Sequence, residues 1–171
     1  MDDLDFSKPA ILLGFEFTGV NAELQCARVN MVVLQPRKDG GYVQGMRDPV
    51  IVHVALLHQI RDAIPQLLMV MEQRGATKSN FHESGTFQLS PEEIPTDDLP
   101  RVHWNGLGAS DCDASLGAAT LSITVDHLRR PTPAPLTAES QYLAPYEVLA
   151  GFLRLLPEVI AAVEGAGKAK H

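Results

Sequence analysis

Two stretches of this chain, 54–75 and 146–165, bring an apolar residue back every three or four positions, and each carries a proline in its interior. In the first, Leu56, Leu57, Ile60, Ile64, Leu67, Leu68 and Met71 recur, Gln59, Arg61, Asp62, Gln66, Glu72 and Gln73 fall between them, and Gly75 ends the run. In the second, Val148, Leu149, Phe152, Leu155, Leu156, Val159, Ile160 and Val163 keep the same period. That spacing makes an amphipathic helix with one face to bury. Proline lacks an N–H and crowds the carbonyl four residues back, so Pro65 predicts a kink, or a break at Ile64, and Pro157 predicts the same in the second helix.

The two prolines stand 92 positions apart, and the same offset pairs Leu57 with Leu149, Ile60 with Phe152, Ile64 with Leu156, Leu68 with Ile160, Glu72 with Glu164 and Gly75 with Gly167. It also sets Leu24, Ala27, Met31 and Val33 against Leu116, Ala119, Ile123 and Val125. A strand-then-helix unit is thus echoed without a change of register. Read as a duplication, it predicts halves 10–78 and 101–170 about a pseudo-twofold axis, joined by a polar, proline-rich connection at 76–100. Two amphipathic helices can always be slid into apolar agreement, so the echo is an expectation for the structure to meet.

Outside the helical stretches the period drops to two. "AILLGFEFTGV" (10–20) alternates at Phe15 and Phe17 with Glu16 turned outward, and "LQCARVNMVVLQP" (24–36) runs apolar until Pro36, so both predict strands. Asp39, Gly40 and Gly41 suit a tight turn before a third strand in "YVQGMRDPVIVHV". "GTFQL", "RVHW" and "LGAATLSITVDHL" are further strand candidates, and "RRPTPAPLT" reads as a proline-stiffened link. The expected architecture is one α+β domain spanning 1–171, an antiparallel β-sheet of about five or six strands with the two long, proline-kinked helices on one face.

Hydrophobic residues at 45% and charged residues at 20% match a folded globular chain rather than a disordered or fibrous one. Twenty-one acidic against fourteen basic residues give a formal net charge of -7, which repels phosphate backbones. Arg129 and Arg130, the strongest basic pair, run straight into "PTPAP", so no nucleic-acid partner is expected. Neither a signal peptide nor a stretch of roughly 18 apolar residues is found, so no membrane partner is expected either. Two cysteines without disulfide-framework spacing point to a reducing compartment, and the cytoplasm is the expected location.

Chemistry concentrates in "HWNGLGASDCD" (103–113). Its Gly-x-Gly-x-x-Asp falls short of the dinucleotide fingerprint, because Asp111 stands where the third glycine belongs and two aspartates would repel a pyrophosphate. His103, Asp111, Cys112 and Asp113 are metal-donor types without metal-ligand spacing, and carboxylates flanking Cys112 disfavour its thiolate. The stretch is read as a glycine- and aspartate-rich surface turn, with neither cofactor nor metal expected. His82 with Glu83 in "NFHESG" could pair a base with an orienter, although catalytic groups normally meet from distant segments. His53, within "VIVHVALL", is read as a packing residue. Met46, Met69 and Met71 raise an adaptable interaction surface, with Met71 on the apolar stripe and Met69 beside it.

Two functions follow. The first is a non-enzymatic binding or assembly protein, homo-oligomeric, adaptor- or chaperone-like, with a protein partner. The rival is a small enzyme or small-molecule binder using His103 with Asp111 or Asp113, or His82 with Glu83. A concave pocket where those groups converge would favour the rival, and an exposed apolar surface the binding protein.

Overall fold

A computed structural model of the chain describes residues 3–78, 86–127 and 136–168. In chain order the elements are β1 (Ala10–Asn21), β2 (Cys26–Pro36), β3 (Tyr42–Met46), β4 (Val50–His53), α1 (Val54–Gln73), β5 (Thr86–Leu89), a 3-10 turn (Thr96–Asp98), β6 (Val102–Asp113), β7 (Ala118–His127), β8 (Leu136–Pro145) and α2 (Tyr146–Lys168).

The sheet is not the antiparallel one of about five or six strands that periodicity suggests. It has eight strands of mixed direction, in the order β3-β2-β4-β6-β7-β8-β1-β5. Because β2 also pairs with β1, the pairings β1–β2–β4–β6–β7–β8–β1 return to their start and form a six-stranded ring. The hairpins β1–β2 and β6–β7, and the pairs β2–β4 and β7–β8, are antiparallel. Two short parallel seams close the ring, Ile51 against His103 and Ala10–Ile11 against Tyr142–Leu143. The physical reason for the difference is that both seams join residues far apart in sequence, which local periodicity does not encode. Arg47, Asp48 and Pro49 split the expected third strand into β3 and β4. The polar β8 fits no simple alternation but is zipped to β7 over its whole length.

Shifted by 92 positions, β1 lands on β6, β2 on β7 and α1 on α2. The correspondence reaches single hydrogen-bonded partners. Leu12 pairs with Val33 and Gly14 with Val32 across a bulge, and Trp104 pairs with Val125 and Gly106 with Thr124 across another. The seam pair Ile51–His103 corresponds to Leu143–Ile11. Gln25 and Gly117 both turn their hairpins at positive φ, 51° and 62°. The amide N–H of Val54 donates to the Gln25 carbonyl at 2.9 Å, and that of Tyr146 to the Gly117 carbonyl at 3.0 Å.

The bulges decide what the strands bury. Each inserts one residue and resets the alternation, so Ala10, Leu12, Phe15, Phe17 and Val20 share the face toward the helices. Val102, Trp104, Leu107 and Cys112 repeat that face on β6. Leu57, Ile60, Ile64, Leu68 and Met71 of α1 join them, with Val148, Leu149, Phe152, Leu156, Val159, Ile160 and Val163 of α2. At the centre Phe15 stacks on Phe152 at 4.1 Å between centroids and on Trp104 at 5.8 Å. The helices run antiparallel, tied at one end by His58 and Glu164 (3.4 Å) and at the other by the Tyr146 hydroxyl and Glu72 (3.0 Å).

No break occurs at Ile64: α1 runs through Pro65, and α2 through Pro157. Both prolines lie on the exposed side, where the carbonyl that loses its N–H partner can bond water. Gly75, at φ 71°, ends α1: its N–H donates to Glu72 and that of Ala76 to Met71, closing the last turn as only a left-handed residue allows.

Candidate functional site

The stretch 103–113 is not a loop. It is the body of β6, extended through Asp113, and the turn follows at 114–117. Alternating small and polar residues with glycines hide the strand from a reading of propensities, but β7 pairs with it almost throughout. Extension separates the candidate residues: His103 and Asp111 lie eight positions apart, a span of roughly 25 Å at the rise of a strand. Asp111 and Asp113 are exposed. Asp113 ends β6 and braces the turn that follows: its carboxylate accepts the Ser115 hydroxyl at 2.5 Å and the Ser115 N–H at 2.8 Å, and these bonds, the hydroxyl's first, hold its pKa below the usual carboxylate range. His82 and Glu83 lie outside the described residues.

What His103 meets is His53. The first stands on β6 and the second at the end of β4, on either side of the parallel seam, with Nε2 of His53 3.1 Å from Nδ1 of His103 and ring centroids 5.2 Å apart. Asp126 is the register partner of His103 across β7. Burial lowers the His103 pKa, the proximity of His53 lowers it further, and Asp126 opposes both. Sequence reasoning missed the pair because 50 residues separate its members and β4 leads into a helix, so no local spacing announces it. Two imidazoles are too few for a metal site, and no group of three or more metal-ligand side chains occurs among the described residues.

Both cysteines are free. Cys26 is buried, and burial pushes its thiol up to about 11, which makes it inert at neutral pH. An open cleft of about 410 Å³ lies elsewhere, between the N-terminal segment, β2 and β8. Lys8, Gln35, Arg47 and Tyr142 line it, with the Arg47 guanidinium 5.9 Å from the centre of the Tyr142 ring. Of the candidates among the described residues, His103, Asp111 and Asp113 do not line it.

The surface offers more than the cleft. Among the described residues β3 pairs only with β2, and all five of its residues are exposed. Tyr42 at 50%, Val43 at 37% and Met46 at 52% exposure stand on it, and Phe6, on a neighbouring segment that hydrogen-bonds to the end of β2, is 70% exposed. Met69 and Val70 near the end of α1 are also exposed, while Met71 is buried.

No protein family, curated protein or solved structure matches this chain. No helix among the described residues is long and apolar enough to cross a membrane.

Proposed function

We propose that the chain is a non-enzymatic binding and assembly protein, adaptor- or chaperone-like, that forms a homo-oligomer through β3. One observation carries the reading: among the described residues "YVQGM" is an edge strand whose five residues are all exposed, with large apolar side chains and no charge or proline. Sheet edges that stay solitary are usually blunted by such residues, because a row of free N–H and C=O groups recruits another strand. Two copies of β3 meeting antiparallel about a twofold axis would extend the sheet from one copy into the other and cover Met46. The proposed compartment is the cytoplasm, in keeping with two free thiols.

For the rival enzyme reading, β6 holds His103 away from Asp111 and Asp113 and the cleft lies elsewhere, while its other pair, His82 and Glu83, lies outside the described residues. The test is molar mass by light scattering across micromolar concentrations, for the wild type and for the double variant Val43→Lys, Met46→Lys. A dimeric or larger wild type and a monomeric variant with an unchanged circular-dichroism spectrum are expected. A monomeric wild type overturns the oligomer.

A further inference from the structure

β1 and β6 correspond residue for residue, but among the described residues only β1 is covered along its outer edge. There β5 lies parallel to it, Gly14 beside Thr86 through Phe17 beside Leu89. The chain then continues alongside: the Ser90 N–H donates to Phe17 (2.8 Å), Val20 to Glu92 (2.8 Å) and Ile94 to Val20 (2.7 Å). Two glycines make room for this strand. A Cβ on Gly14 would lie 1.7 Å from the Thr86 carbonyl oxygen, and one on Gly151 of α2 would lie 2.6 Å from the Phe87 ring.

On β6 the same edge is bare. Among the described residues nothing pairs with it beyond His103, and Asn105, Gly108, Ala109, Ser110 and Asp111 are exposed. Yet Gly106 stands at the place of Gly14. A Cβ there would meet only Thr124, at 3.9 Å. A strand glycine weakens its strand by forgoing side-chain packing and backbone restriction, and its use is the close approach of another backbone. At Gly14 that backbone is β5. At Gly106 it is missing.

We propose that the β6 edge at Gly106–Ala109 docks an extended segment of another protein, added parallel to β6 as β5 is added to β1. The inference rests on the reading of the chain as a binding protein and supplies its partner class. A second copy of β6 is the wrong occupant, because two identical edges related by a twofold axis meet antiparallel, and each copy's β5 already lies on its own β1. The internal precedent also sets the chemistry. Positions matching Phe87 and Leu89 are apolar, but the first is smaller than Phe, because Gln59 stands on α1 where Gly151 stands on α2. Glu92 and Glu93 lie beside Val20 and Asn21, whereas the matching part of β6 is flanked by the exposed carboxylates of Asp111 and Asp113. The partner is therefore basic at those two positions.

The probe is a capped nine-residue peptide, Thr86–Ile94 of this chain with Phe87→Val, Glu92→Lys and Glu93→Lys, titrated into the intact protein while backbone amide resonances are followed. Shifts and slowed hydrogen exchange confined to the region 105–113 are expected, with weaker binding of the unaltered acidic peptide. Gly106→Val, which fills the slot, should weaken binding at least about tenfold. Ala109→Pro should do the same without disturbing the β7 ladder, because its counterpart Phe17 directs its carbonyl to the β5 side. Shifts centred on Tyr42–Met46, undiminished binding by both folded variants, or no shifts at millimolar peptide overturn the inference. The light-scattering result is independent of it, so an oligomer that ignores the peptide sinks this proposal alone, and a monomer that binds it at β6 sinks only the oligomer.

Discussion

His103 shows how one side chain ties stability to acidity. Its pKa is held below its ordinary value, chiefly by burial and then by His53 across the seam, with Asp126 pulling the other way. The unfolded chain, in which histidine titrates near about 6.5, therefore takes up a proton before the folded chain does. Stability contributed by the neutral ring is fully present above that pH and is lost as pH falls through the window down to the lowered folded value. Urea unfolding midpoints should drop as pH falls below about 6.5, and His103→Gln should flatten part of that drop. An equal slope in the variant would remove His103 as the cause. The sequence offered His103 as a candidate but with the wrong companions, because Asp111 and Asp113 are near it only along the chain.

At the scale of elements, periodicity located both helices, the strands β1, β2 and β7 and the short "GTFQL" strand, since each buries one face in a repeating pattern. It failed where pairing rather than burial makes the strand. β8 carries "TAES", unremarkable for any structure, and 103–113 reads as a turn because glycine, serine and aspartate favour turns when nothing pairs with them. The bulges were equally hidden, although they explain why Leu12, Phe15 and Phe17 share a face in spite of their uneven spacing. β5 depends on its seat as much as on its own sequence. Gly151→Val should drive side-chain atoms into the Phe87 ring, lowering stability by roughly 1–3 kcal/mol. Hydrogen exchange should then speed up at Thr86–Leu89 while β7 stays protected; uniform loss of protection would mean that β5 is not a separate unit.

At the scale of the molecule, one fixed offset relates strands, bulges, turns and helix starts among the described residues, and on it rests the proposal that 10–78 and 101–170 are two copies of one unit. The echo was legible in the helices, but the ring was not, since its closure depends on seams of one and two residue pairs between distant segments. Each unit keeps its own hairpin and helix, while the buried stack of Phe15, Trp104 and Phe152 draws on both. Co-expressed fragments 1–78 and 79–171 should therefore co-purify as a folded pair, and either alone should be unfolded by circular dichroism. Failure of the pair to associate would show that the connection 76–100 holds the units together. The connection also sets a count. Two unlinked identical units closing this ring would present two equivalent bare edges and take two strand partners. By laying β5 on β1, the connection uses up one of those edges, so the proposed docking at the other would have a one-to-one stoichiometry.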